Sequence, residues 1–405
     1  MNNYLDKIDY VIHKIRFNYL GTKYQGRGVL MWNPDNGFLI EAPMDSVGGP
    51  SQTVFFGGSG IIKKDDLVSI KMRWSSPDSW IILPDVIMRD EIELELLERL
   101  SLKANRAIIS NPSNVTDSQN WSGSALFEVK GKAVLPDQIV KEIYLGEERI
   151  GKSYSLSGIQ HNGPDGETVI GRLEEGKYIK INYSLPRKRW NRNEAWKWAE
   201  AAKDSLSILL GQTVRLLRRK LVRGKREYTE IRKCNEVKNI RPFAPFSSET
   251  HVNRERFIKL TDFFVKDNLE TVICRKIFQQ MVAVSQQKSW QARELLLSTI
   301  LEATLRTYQN HPFKEKDTNF KLRQAYNSFC KKYFTEEWTD ICTKAFLIHF
   351  KLRHRNAHPD WLFEQTGYLS DKRREESLND MIFMSRFYGY MILALAGFDN
   401  LKPKF

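Results

Sequence analysis

The period of the hydrophobic pattern changes along this chain, and that change constrains the fold more than any motif does. From residue 11 to about 185, apolar residues come in short runs rich in β-branched and aromatic side chains. IRFNYLG, RGVLMW, GFLIEAP, TVFFGG, DLVSIKMRW, SWIILPD, SALFEVKGK, VIGRLEEG and KYIKINYSL are such runs, separated by Gly, Pro, Asn and Asp. From 253 to 397 the apolar residues recur instead at steps of three and four, the period of an amphipathic helix. Strands first and helices second make an α+β chain. The expectation is an antiparallel β-rich domain, sandwich or barrel-like, over 1–190, and an all-α bundle over 249–405. One helix, 90–104, is expected to interrupt the strands, and 111–119 reads as loop.

The stretch 191–248 joins the two. Residues 193–211 form an amphipathic helix, with Trp196, Ala199, Ala202, Leu206, Leu209 and Leu210 on one side and Gly211 as its stop. The basic run RLLRRKLVRGKREYTEIRK follows at 215–233. Arg218, Arg219, Arg223 and Arg226 are its candidate RNA-phosphate contacts, and Trp190 and Tyr228 offer flat faces for bases. A solvated connector, or a strand pair packed on the helical domain, fits the run equally well. RPFAPFSSET at 241–250 reads as linker.

Lys and Arg number 63 against 49 acids, and the net charge of +14 favours a polyanionic partner, nucleic acid first. No run of eighteen apolar residues exists, so no membrane span is expected. The opening MNNYLDKIDY lacks a basic region followed by an apolar one, so no secretory signal is expected. Cys234, Cys274, Cys330 and Cys342 form no C-x-x-C pair and read as reduced thiols of a cytoplasmic protein. GEERIGKS at 146–153 matches the phosphate-loop pattern. The residues after it cannot hold a helix, which such a loop must open, so it reads as a hairpin turn. No cofactor is expected.

The helical half should run 253–266, 269–287, 289–310, 320–334, 335–357 and 371–396. Glu294 and Glu302 are candidate polar contributors to a site, and Glu302 is spaced to pair with Arg306. The last helix spreads its apolar residues so widely that a core face plus a partner surface is expected. In TEEWTDICTKAFLIHFKLRHRNAHPDW, at 335–361, Thr335 suits an N-cap and Pro359 stops the helix near Ala357. The last turn then carries Arg353, His354, Arg355 and Asn356, with His358 just beyond. On an unbroken helix Arg353 and His358 would point about 140° apart. A helix that stops short lets the imidazole fold back beside the guanidinium. Arg is a permanent cation with a donor fork suited to phosphate, and His moves protons near neutral pH. His354 and His358 also make an H-x-x-x-H pair, but Pro359 breaks their shared face and no carboxylate ligand is near, so no metal is expected.

Arg353, four residues, then His358, with polar His354 directly after the Arg, resembles the R-(polar)-x-x-x-H motif of HEPN-domain ribonucleases. The resemblance covers the helical half, with the motif at the end of the penultimate helix. It implies a HEPN-like bundle and a metal-independent endonuclease that cuts RNA, tRNA included, by attack of the 2′-hydroxyl. Arg353 and His358 would be catalytic, His354 supporting, Arg355 a further RNA contact, and the active form a homodimer. The alternative is a non-catalytic RNA-binding or regulatory module of the same fold. The overall layout is similar to that of ApeA-type antiphage proteins. That implies a toxin-like role in bacterial antiviral defence by abortive infection, with the β domain sensing an unknown trigger.

Overall fold

A computed structural model describes residues 8–19, 22–33, 37–42, 44–46, 68–74, 80–88, 100–104, 106–112, 119–129, 139–145, 148–155, 158–163, 166–173, 178–223, 226–232, 254–310, 321–357 and 371–398. Strands β1 (Ile8–Tyr19), β2 (Thr22–Asn33), β3 (Gly37–Ala42), β4 (Met44–Ser46), β5 (Val68–Trp74), β6 (Trp80–Met88), β7 (Leu100–Ala104) and β8 (Arg106–Pro112) come first. Then follow β9 (Asn120–Glu128), β10 (Ile139–Leu145), β11 (Glu148–Ser155), β12 (Gly158–Gly163), β13 (Gly166–Leu173) and β14 (Tyr178–Pro186). Helix α1 (Arg192–Leu210) leads into the hairpin of β15 (Arg215–Arg223) and β16 (Arg226–Arg232). The helices α2 (Arg254–Val265), α3 (Leu269–Gln286), α4 (Trp290–Tyr308), α5 (Leu322–Tyr333), α6 (Thr339–Ala357) and α7 (Asp371–Leu395) complete the order. The α+β class is as expected.

Every strand pairing among the described residues is antiparallel, and 14 strands join one sheet. The path β5–β1–β2–β3–β7–β6 returns to β5, so this part closes on itself as a barrel does. β6 makes the closure possible. Its second half pairs with β7, Val86 opposite Ala104, and its first half with β8, Ile82 opposite Ile108. β8 then leaves the ring to pair with β16, and the sheet continues through β15, β9, β14 and β13 to β12.

Two sequence expectations change here. Residues 100–104 are not helical: their backbone groups are taken by β3 on one side and β6 on the other. β8 covers 106–112, so strand extends into the stretch read as loop. The GEERIGKS match lies in a hairpin, as expected. Leu145 pairs with Glu148, and Gly151, Lys152 and Ser153 run inside β11, so no helix opens there. TVFFGG and the 241–250 linker lie outside the described residues.

α1 forms where its caps dictate. The Asn191 side chain accepts from the Asn193 and Glu194 amides at 2.9 and 3.0 Å, and Glu194 accepts from the Asn191 amide at 2.8 Å. This reciprocal box satisfies orphan donors at one end. At the other, Gly211 takes φ 60°, a conformation that costs a residue with a Cβ about 1–2 kcal/mol. β14 alternates buried and open positions, and Ile179, Ile181, Tyr183 and Leu185 face the core. Ala195, Trp198, Ala199, Ala202 and Leu206 of α1 are buried in that same core. Ser205 and Thr261 hydroxyls meet at 3.1 Å where α1 crosses α2. A single core therefore runs from Trp121 of β9 to the end of α7. The stretch 191–248 supplies its central helix and two strands, and is more than a connection between halves.

Gly123 pairs with Tyr183 across β9 and β14, and a Cβ on Gly123 would run into the Tyr183 ring. That ring cannot yield, because it packs tilted against Trp198, centroids 4.4 Å apart, while its hydroxyl donates to the Ala195 carbonyl. Gly123→Ala should lower stability by about 1–3 kcal/mol, the usual cost of overpacking. A lower urea midpoint at unchanged slope is the expected result.

Candidate active site

α6 supplies the motif. Thr335 has extended backbone and starts a 3-10 turn at Glu336–Trp338 without a side-chain capping bond, so the α-helix proper begins at Thr339. Ala345, Ile348 and Leu352 fall on the buried face at helical spacing. Lys351 pairs with Asp380 of α7 at 2.9 Å. The helix ends at Ala357, two residues before Pro359, as expected.

Arg353 lies in the last turn with half of its side chain exposed (51%). Its Nη1 donates to Glu302 of α4 at 2.9 Å, and the other Glu302 oxygen accepts from Arg306 Nε at 3.0 Å. One carboxylate thus serves two guanidiniums. The Glu302–Arg306 pair was legible from spacing; the link to Arg353 needed the packing of α4 on α6. His354 is exposed beside Arg353. Arg355 lies in α6 but its side chain is outside the described residues, as is His358 altogether. Glu294 does not join this group. It is fully buried two turns earlier on α4 and accepts from the Ser377 hydroxyl of α7.

His349 was not singled out in the sequence, although it precedes Arg353 by one turn and falls on the same face as Ala345 and Leu352. It is fully buried, and neither ring nitrogen has a hydrogen-bond partner among the described residues. Phe346 and Phe350 flank it, ring centroids at 6.5 and 5.4 Å. Burial first, then the Arg353 charge, hold its pKa down to about 4, against the pull of Glu302. At neutral pH it is an uncharged imidazole beneath the motif. Among the described residues no three His, Cys, Asp or Glu side chains converge to hold a metal ion.

The basic run is the strand pair allowed by the sequence, and its charges divide by strand alternation. Arg218 and Arg226 are exposed, and the side chain of Arg223 lies outside the described residues. Arg219 corrects the expectation: it is buried, and its guanidinium pairs with Glu230, lies 4.1 Å from the Trp196 ring centroid and donates to the Trp196 carbonyl at 2.9 Å. Arg232 pairs with Glu230 and Glu200, Lys220 with Glu227, and Arg215 with Glu128. Trp190 is also corrected. It is buried in the core, where its carbonyl accepts from the Trp121 indole, and it cannot stack on a base. Tyr228 remains half-buried under the Arg192 guanidinium.

A concavity of about 320 Å³ is lined by residues of α1, α2 and α3 and by Asp267 between the last two. Its cations are answered within it: Arg275 by Asp204 and Asp267 at 2.8 and 2.7 Å, Lys197 by Asp267 at 2.8 Å. It offers an anion no unbalanced charge.

Fold and site define an α+β protein whose helical half presents a carboxylate-held arginine beside a histidine at a helix end. Comparison with known proteins finds no matching family model, curated protein or solved structure. No helix of the described residues is long and apolar enough to cross a membrane.

The two neighbouring arginines of β15 should behave differently when neutralised. Arg219→Gln removes one of the two cations that answer buried Glu230 among the described residues, leaving only Arg232, and should cost about 3 kcal/mol. Arg218→Gln should stay within about 0.5 kcal/mol of the parent. Equal denaturation midpoints for the two variants would contradict the buried assignment.

Proposed function

We propose that this chain is a metal-independent RNA endonuclease acting in bacterial antiviral defence. The observation that carries the reading is Arg353, half-exposed at the end of α6 and steered by Glu302, with His354 beside it. The 2′-hydroxyl oxygen attacks the adjacent phosphorus, the bond to the 5′-oxygen breaks, and a cyclic phosphate remains. The charged phosphorane calls for a cation with a planar fork, which is Arg353. The attacking oxygen loses a proton and the leaving oxygen gains one; His358 moves protons here, and His354 supports it. Arg218, Arg226 and Arg355 hold the RNA, tRNA included, through its phosphates. The β domain is the sensor that responds to a trigger.

A non-catalytic RNA-binding module is the second reading, and one contact favours it: Glu302 already answers the Arg353 charge. Incubation with total RNA in EDTA separates the two. The parent chain should cut. His358→Ala, at unchanged melting temperature, should lose about 10²–10⁴-fold in rate. Arg353→Lys should be severely impaired as well, since it keeps charge but loses the fork. A parent chain that binds RNA without cutting it would support the binding module.

The active form is proposed as a two-fold homodimer that brings two motifs to one phosphate. The expected patch was the apolar spread of α7, and that expectation is corrected. Phe387, Tyr388, Met391, Ile392 and Leu393 are fully or almost fully buried inside the chain, because α7 is the central helix of the bundle. α6 offers apolar surface instead. Leu347 (64% exposed) and Phe350 (44%) lie at helical spacing with exposed His354. A self-complementary contact through these two would set the motifs side by side. The double variant Leu347→Glu, Phe350→Glu should be monomeric by light scattering and inactive. Full activity in such a monomer would remove the shared site and leave His354 as the second proton carrier.

A further inference from the structure

Helices α5 and α6 run as an antiparallel pair joined by the short turn at 334–338, and their facing residues form a ladder. Phe334 meets Trp338 with ring centroids at 5.1 Å. Two turns away along both helices, Tyr326 stacks on Phe346 at 4.8 Å. A step of four on each helix separates successive rungs, so the rung between these aromatic layers holds Cys330 opposite Cys342. Both are free thiols; Cys342 is buried and Cys330 half-buried. The Tyr326 hydroxyl, one turn before Cys330, donates to the Cys342 carbonyl at 2.7 Å, and each thiol shifts the titration of the other. The ladder therefore holds two sulfurs against each other on separate elements, one of them on the helix that carries Arg353.

We propose that Cys330 and Cys342 are a dithiol modification site, oxidised by a hydroperoxide to a disulfide that ties α5 to α6. The site stands whether or not the chain cuts RNA. The Cys342 thiolate attacks one peroxide oxygen and the O–O bond breaks. Cys342 is left as sulfenic acid, and the other oxygen departs as hydroxide and takes up a proton. The Cys330 sulfur then attacks the sulfenic sulfur. The S–S bond forms, the S–O bond breaks, and the second oxygen leaves as water with the Cys330 proton. Two thiols are oxidised and one hydrogen peroxide is reduced to two waters. The division of roles follows from the coupling of the two thiols. It holds the Cys342 thiol below its ordinary range and, together with burial, pushes Cys330 up. Cys274 is the internal contrast: burial first, then the Glu270 charge, pushes its pKa well up against the pull of Arg275, and its sulfur faces the Ile392 carbonyl of α7 rather than a second thiol.

The test treats the full chain with hydrogen peroxide, blocks remaining thiols in denaturant with N-ethylmaleimide, and maps tryptic peptides by mass spectrometry. Lys331 and Lys332 lie between the two cysteines, so a link appears as two joined peptides. The expected result is a Cys330–Cys342 link that dithiothreitol reverses, blocked thiol at Cys274, and a higher melting temperature for the oxidised chain. Cys330→Ser keeps a hydroxyl donor beside Cys342 and should trap sulfenic acid there, captured by dimedone. Blocked thiols at both positions after peroxide, sulfinic acid without a link, or a link to Cys234 or Cys274 instead would overturn the proposal.

Discussion

The Trp198 indole stands between the sheet and the helices, and the rest of the molecule is arranged about it. On one side it meets the Tyr183 ring of β14 at 4.4 Å; on the other, Phe257 of α2 packs edge-on at 6.3 Å. Each of these side chains is worth about 1.5–3 kcal/mol when removed from water, and none is covered unless both halves are in place. The small residues Ala195, Ala199 and Ala202 keep the rest of that helix close to its neighbours. The sheet beyond β9 and the helical bundle accordingly depend on the same helix. A displacement of α1 would uncover both.

Charge is the second constraint. The run at 215–233 offers the sequence reader a polyanion-binding stripe, yet Arg215, Arg219, Lys220 and Arg232 are spent on ion pairs within the chain. Arg219, Arg232, Glu230 and Glu200 pack at the α1–β15–β16 junction as two cations and two anions. Burial pushes the Glu200 carboxyl up, but Lys203, Arg232 and Arg219 together bring it below its ordinary value. A buried network of this kind gives little net stability beyond an apolar replacement, but it tolerates no missing member. It fixes the hairpin's register against α1, and the alternation of a strand then points Arg218 away from the side Arg219 occupies.

What was legible in the sequence follows from the range of the forces involved. Helix ends are local events, and Gly211, Ser289 and Pro359 each mark theirs. Helical positions accordingly match expectation to within a few residues. Strand order is not local. Nothing in LSLKA or RAIISNP states that β7 will pair with β3 and β8 with β16 while both flank β6. The acidic run before residue 100 suggested a helix, and pairing with two strands overrode that propensity at 100–104. In the site, Arg353 was readable from spacing, whereas its Glu302 partner depended on a helix crossing. His349 was readable in principle, since a histidine at a position shared with Ala345 and Leu352 must be buried, neutral or partnered.

The electrostatics of the α6 terminus explain why a neutral His349 matters to an exposed Arg353. Glu302 accepts from both Arg353 and Arg306, so one carboxylate is shared between two cations. A helix C-terminus favours positive charge. Were His349 protonated, a further positive charge would sit inside the bundle, within the pull of Glu302. It would compete with Arg353 for that carboxylate, and burial forbids this at neutral pH. The carboxylate therefore stays with the two arginines and holds Arg353 at the exposed end of α6. Under the proposed reading, a phosphorane, more negative than the diester it forms from, would be held more tightly by Arg353, and such a difference in binding lowers a barrier.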